Sequence, residues 1–164
     1  MLLVLGHAVG FLVPQHVTAF SASPARLLVL EATALVAGLL FAVGLAGMAL
    51  GRGRVLPQLT GVERLVLALA VLQAVSGVYV ATALRWGSSW YVQLLVPWLR
   101  SLAALQPDVS AVATMPHAVK AHVLLAVVLL PLLPRTRLPA LLLAPVRALR
   151  HDVTGRAPRP LEGR

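Results

Sequence analysis

The 164-residue sequence contains no cysteine. That excludes disulfides, thiolate nucleophiles and cysteine-ligated zinc or iron–sulfur centres within this chain. Any redox chemistry must therefore run on a bound group held by other ligands. Charge is scarce too: 12% of residues are charged and 59% are hydrophobic, with a mean hydropathy of +0.89. A soluble domain is roughly half apolar and a quarter charged, so the composition is that of a membrane protein. Acids are the scarcest charges, 5 Asp+Glu against 14 Lys+Arg, for a net charge of +9. In a soluble protein that balance points to nucleic acid. Here no basic helix and no aromatic platform for stacking bases is present. The cations lie mostly between apolar stretches and read as topology signals at an anionic membrane surface.

Four apolar runs are present. Residues 1–13 (MLLVLGHAVGFLV) are apolar apart from His7 and end at Pro14. Residues 27–50 carry one acid, Glu31, and end in GRGR. Residues 64–84 contain Gln73, Ser76, Gly77 and Tyr79, and residues 118–133 close on Pro134, Arg135 and Arg137. A spanning helix needs about 20 apolar residues. The second and third runs meet that length, and the fourth meets it if it starts near Pro116. The first is too short at about 1.5 Å rise per residue. A signal peptide would need a positively charged start, which this run lacks; the expectation is a helix whose first half is missing, through natural truncation or a start codon assigned too late.

Orientation follows from the cations. Arg52, Arg54, Arg64, Arg135, Arg137, Arg147, Arg150, Arg156, Arg159 and Arg164 lie on one side, against Arg26, Arg85, Arg100 and Lys120 on the other. The side with ten is cytoplasmic, so the C-terminus is expected in the cytoplasm and the segments 14–26 and 85–117 outside. The long outer segment carries Trp86, Trp90, Tyr91 and Trp98, an interfacial aromatic set. Within it, residues 91–105 (YVQLLVPWLRSLAAL) are expected as an amphipathic segment on the membrane surface, interrupted near Pro97. No internal repeat is present. The expected fold is an all-α membrane protein, a bundle of about four transmembrane helices with the first one short. Residues 1–146 form the membrane domain and residues 147–164 a basic, proline-rich cytoplasmic tail.

Ionisable groups inside membrane segments are costly and functional by default. His7 and His122 are the two histidines set within apolar runs. His7 precedes Pro14 by seven residues and His122 follows Pro116 by six, which puts both roughly 10 Å below the outer surface at 1.5 Å per residue. Their helices run in opposite directions, so the match does not follow from chain order. Two imidazoles at one depth on different helices are what a bis-histidine haem needs, each binding the iron from one face of the porphyrin. Gly6 and Gly10 flank His7 and admit close approach. The alternative is a histidine that only hydrogen-bonds across helices. His117 lies about 140° around the helix from His122 and cannot share its face. Lys120, the single lysine, snorkels to the interface, or donates to a quinone carbonyl or haem propionate. His16 and His151 read as solvated loop residues.

With those residues in view, a family resemblance emerges. The stretch from Pro97, PWLRSLAALQPDVSAVATMPHAVKAHVLLAVVLLPLLPRTRLPALLLAPV, resembles the C-terminal part of the respiratory nitrate reductase gamma subunit. The shared pattern is a W-x-R-S segment, a proline, a histidine-bearing helix, an R-L motif and an Ala-Pro. GHAVGFLVP resembles the family's G-H-x-x-G-x-x-x-P, and LVLALAVLQAVSGVYVAT is a looser match to its third shared helix. The resemblance implies a membrane-anchored b-type cytochrome in the cell membrane. Such a subunit oxidises quinol near an outer haem and passes electrons inward to an iron–sulfur beta subunit and a molybdenum alpha subunit. It implies His7 and His122 as the outer-haem ligands, with Lys120, Arg26 and His117 as possible quinol or propionate contacts. Both inner-haem ligands are lacking: one would precede Met1, and Ala140 stands where the other follows R-L. One haem b, bound by two histidines, is therefore expected. Two rivals are another quinol-linked complex, such as a sulfite- or heterodisulfide-reductase-like membrane subunit, and a haem-free scaffold or remnant. A transporter fits less well, because no second buried charge pairs with the histidines.

Overall fold

The computed structural model describes residues 2–50, 56–84 and 86–140, and among these all regular structure is helical. Helix α1 (Leu2–Leu12) is followed by α2 (Pro14–Ser21) and α3 (Pro24–Leu50). A 3-10 turn, Leu56–Gln58, leads into α4 (Gly61–Ala83). A short α5 (Gly87–Trp90) runs through a π-helical turn, Tyr91–Leu95, into α6 (Val96–Ala103). Helix α7 (Ser110–Ala113), α8 (His117–Leu132) and a closing 3-10 turn, Leu133–Arg135, complete the order. The GRGR segment and the basic tail lie outside the described residues.

Three stretches are long and apolar enough to cross a membrane: Pro24–Leu50, Gly61–Ala83 and His117–Arg135. At 1.5 Å per residue they reach roughly 40, 35 and 28 Å, against a hydrocarbon core of about 30 Å. Their outward side chains are largely exposed and apolar, the surface that lipid requires. The protein is a multi-span membrane protein. The short first run is continued by α2, but the two helices meet at 104°. Pro14 causes the break: its ring crowds the preceding turn and it has no N–H to donate. Val13 leaves helical geometry at φ −129° and ψ 56°, and Pro14 then opens α2, where its missing N–H costs nothing.

The interruption expected near Pro97 is not a break. The helix continues from Gly87 to Ala103, and the π-helical turn Tyr91–Leu95 lies immediately ahead of the proline. Widening that turn accommodates a residue that can neither donate nor tolerate the usual carbonyl beneath it. Nor does the segment only lie on a surface. It packs against α1 and α2, and Val92, Leu95 and Val96 are buried.

Helix α4 is central, packed on α3 at one side and on α8 at the other. The core gathers where α3 ends, α4 begins and α8 ends, from Leu45, Leu59, Val66, Leu67, Ala70, Ala74, Leu129 and Leu138. Lipid is as apolar as leucine, so close contact rather than water exclusion holds such helices together. Ala42, Ala49, Ala70 and Ala74 supply the small side chains that allow it. The start of α4 is specified locally by a capping box: Thr60 Oγ1 accepts from the Glu63 N–H at 3.2 Å, and Glu63 Oε2 accepts from the Thr60 N–H at 2.8 Å. Glu63 is buried, and Arg137 reaches it from beyond α8 with Nε at 3.0 Å and Nη2 at 3.2 Å. Arg137 Nη2 also donates to the Gln58 carbonyl at 3.1 Å. This clasp closes the end of the bundle that the cation counts assign to the cytoplasm.

Candidate functional site

His7 stands exposed on α1. Its Nδ1 lies 2.8 Å from the carbonyl of Leu3, one turn earlier. A carbonyl can only accept, so Nδ1 carries the hydrogen and Nε2 keeps its lone pair, the form that binds a metal. Tyr91 fixes the ring from the other side. Its hydroxyl donates to the His7 carbonyl at 2.8 Å, and the two rings meet edge-on with centroids 5.3 Å apart. Burial pushes the Tyr91 phenol above its ordinary range, which keeps it a donor.

The two glycines beside His7 have different surroundings. A side-chain carbon on Gly6 would meet nothing within 4 Å, so close approach from outside the protein is open there. One on Gly10 would come within 2.6 Å of Tyr91 Cε1. The bare face of Gly10 thus admits the tyrosine that holds His7, a role not visible in the local sequence.

His122 is half-buried on α8 and faces α4. Ser76 Oγ lies 2.9 Å from Nδ1, and Gln73 Nε2 lies 3.2 Å from Nε2. A carbon on Gly77 would meet His122 Cε1 at 2.9 Å. These three α4 residues were visible in the sequence as polar or small interruptions of an apolar run, but nothing local said which helix they serve. His7 and His122 stand on separate helices, α1 and α8. Helix α1 packs on α2, α3 and the π-helical turn rather than extensively on α8. The arrangement is two imidazoles from separate helices without a close-packed seam between those helices.

The three cationic or titratable residues expected around the site sit on α3 and at the start of α8. Arg26 sits over the Phe20 ring at 5.4 Å, and Lys120 Nζ donates to the Ala113 carbonyl at 3.0 Å. His117 is exposed at the first position of α8. Arg100, in the W-x-R-S segment, donates through Nη2 to the carbonyls of Phe11 and Leu12 at 2.7 and 3.4 Å. Those are acceptors that the break at Pro14 strips of helical partners. Among the described residues no three His, Cys, Asp or Glu side chains gather as a metal cage.

Residues 1–154 match the family described as Nitrate reductase gamma subunit. The chain belongs to the nitrate reductase gamma subunit family. No curated protein and no solved structure matches it significantly. The family normally binds haem b, its gamma subunits imply alpha and beta partners, and its membrane helices accord with a quinol-oxidising cytochrome b anchor.

The donor chemistry of His7 and His122 suits a haem. A bis-histidine haem takes two protein ligands, since the porphyrin supplies the remaining donors, and His7 and His122 are the two imidazoles set within apolar runs. Each has Nδ1 engaged by a neighbour, the arrangement that orients a ligating histidine. Gln73, whose amide nitrogen meets Nε2 of His122, is the one group that would turn aside. Its Oε1 is buried without a hydrogen-bond partner, so the present position of the amide is only half satisfied.

Proposed function

We propose that the chain is the membrane cytochrome b subunit of a quinol-linked reductase, taking electrons from quinol and passing them to a respiratory nitrate reductase. Family membership supports the complex, and the two imidazoles of His7 and His122, each with Nδ1 engaged by a neighbour, carry the cofactor reading. In it one haem b is held by the Nε2 atoms of His7 and His122, with Gly6 the open approach on α1. The bound haem supplies one-electron redox chemistry. The protein contributes the rest: Leu3 and Tyr91 orient His7, and Ser76 orients His122.

A single haem is the proposal. Ala140, where a second ligand would follow the R-L pair, has no donor atom, while Arg137 and Leu138 beside it are committed to Glu63 and to the core. A quinol site on the outer side is supported by a cleft of about 450 Å³ lined by Leu27, Trp86, Ser89, Trp90, Gln93 and Leu94. Its aromatic walls suit a quinol ring, and Ser89 and Gln93 supply polar partners for hydroxyls. Arg26 adjoins it in sequence. The iron–sulfur beta and molybdenum alpha subunits would dock at the cytoplasmic end, with residues 147–164 as a cytoplasmic tail of the 1–146 membrane domain.

One observation favours a second reading, a haem-free membrane scaffold: both ring nitrogens of His122 already have partners on α4. A dithionite-reduced minus oxidised spectrum of the purified chain separates the two, with haem counted per protein and repeated for His7→Ala and His122→Ala. One b haem lost in both variants is the expected result. Colourless protein selects the scaffold, and haem indifferent to both substitutions overturns the assignment of His7 and His122 as its ligands.

A further inference from the structure

Helix α4 turns one stripe toward His122. Gln73, Ser76 and Gly77 occupy positions i, i+3 and i+4, which 3.6 residues per turn stacks on one side. Gln73 and Ser76 meet the imidazole at Nε2 and Nδ1, and the bare face of Gly77 leaves room for Cε1.

The proton positions follow by elimination. The backbone carbonyl of Gln73 can only accept, so Ser76, 3.0 Å away, gives it the hydroxyl hydrogen. The Ser76 oxygen then presents a lone pair to Nδ1 of His122, and Nδ1 must carry the ring hydrogen. On the other side the amide nitrogen of Gln73 has only hydrogens to offer, so Nε2 must present its lone pair. Two separate bonds, at opposite nitrogens, specify the same neutral tautomer.

We infer that Ser76 is a positioning residue for His122, holding it as the Nδ1–H tautomer so that Nε2 is the nitrogen open to a metal. The inference deepens the haem reading and, as far as iron is concerned, rests on it. The hydrogen bond at one imidazole nitrogen decides which nitrogen binds metal, and such outer partners typically carry ten- to hundredfold in metal affinity. Gln73 has a different part. It touches the ligating nitrogen while its own Oε1 is buried unpaired, so its side chain loses least by moving. His7 reaches the same tautomer through the backbone of Leu3. Both histidines thus present Nε2, one positioned by its own helix and the other by a neighbour.

The test is ¹⁵N-histidine NMR of the full chain in detergent, with haem content measured in parallel. His122→Ala assigns the signal, and the comparison set is wild type, Ser76→Ala, Ser76→Thr and Gln73→Leu. Wild type and Ser76→Thr are expected to show His122 protonated at Nδ1. Ser76→Ala is expected to give a tautomer mixture and to retain haem about tenfold more weakly. Gln73→Leu keeps the tautomer, because the backbone carbonyl that receives the Ser76 hydrogen survives. An unchanged tautomer in Ser76→Ala overturns the inference, as does an Nε2–H wild type, which decides the matter alone if Ser76→Ala does not fold. The expected tautomers in a wild type without haem support the Ser76 assignment and overturn the haem reading instead.

Discussion

Tyr91 donates to the backbone carbonyl of His7 at 2.8 Å while its ring meets the imidazole edge-on, although 84 residues separate the two in the chain. One side chain thus holds both the backbone and the ring of a proposed ligand. Tyr91→Phe keeps the ring contact and removes the hydrogen bond, an expected loss of about 1 kcal/mol. Tyr91→Ala removes both and is expected to cost about 1 kcal/mol more. Thermal unfolding in detergent measures the stability change, and haem retention reports on His7 itself.

Gly10 and Gly6 are expected to respond differently to alanine. A methyl on Gly10 would come within 2.6 Å of the Tyr91 ring, so Gly10→Ala displaces the tyrosine at a cost of about 1–3 kcal/mol. Gly6→Ala meets nothing within 4 Å and, by replacing a glycine inside a helix, raises the unfolding temperature slightly. If the porphyrin approaches α1 there, Gly6→Ala still weakens haem retention, which a titration of haem into the chain reads directly.

Gly77→Ala tests the other ligand. Its methyl would lie 2.9 Å from His122 Cε1, too close to be accommodated without moving the ring. The expected outcome is weaker haem retention at nearly unchanged helix content, measured by pyridine haemochrome and circular dichroism.

Arg100 holds the end of α1 where proline breaks it. Arg100→Ala leaves the Phe11 and Leu12 carbonyls without this donor and removes a guanidinium lying 5.7 Å from the Phe11 ring centroid. Because the bonds are exposed, the expected cost is only about 1 kcal/mol. Arg100→Lys restores the charge but not the planar fork, and is expected to recover part of the unfolding temperature.

The Glu63–Arg137 pair predicts non-additivity. Glu63→Gln and Arg137→Gln each leave a partner without its counter-charge, whereas the double variant removes both. The double variant is expected to lower the unfolding temperature by less than the sum of the singles, the signature of coupled neighbours. Additive losses would show that the two residues act separately.

Much of the fold was legible in the sequence, for a local reason. Hydropathy is a property of a stretch, so the runs at 27–50, 64–84 and 118–133 became Pro24–Leu50, Gly61–Ala83 and His117–Leu132. The ends shifted by up to three residues. Helix α4 begins early because Thr60 and Glu63 cap each other, and α3 because Pro24 is a good first helical residue. His7 and His122 stood out because an ionisable group in a lipid-facing run is costly wherever its helix finally lies.

What the tertiary structure alone decided is which faces meet. Helices that are apolar on every side carry no amphipathic stripe to announce their inward face; packing of small residues and a few hydrogen bonds chooses it. The 104° turn at Pro14 follows from a residue visible in the sequence, but its angle is set by the helices packed around it. Ser76 faces His122 across 46 residues and Arg137 faces Glu63 across 74. Composition, spans and the two histidines were written locally. Leu3 holds His7 from within its own helix, but Tyr91, Gln73 and Ser76 reach the two histidines only once separate helices come side by side.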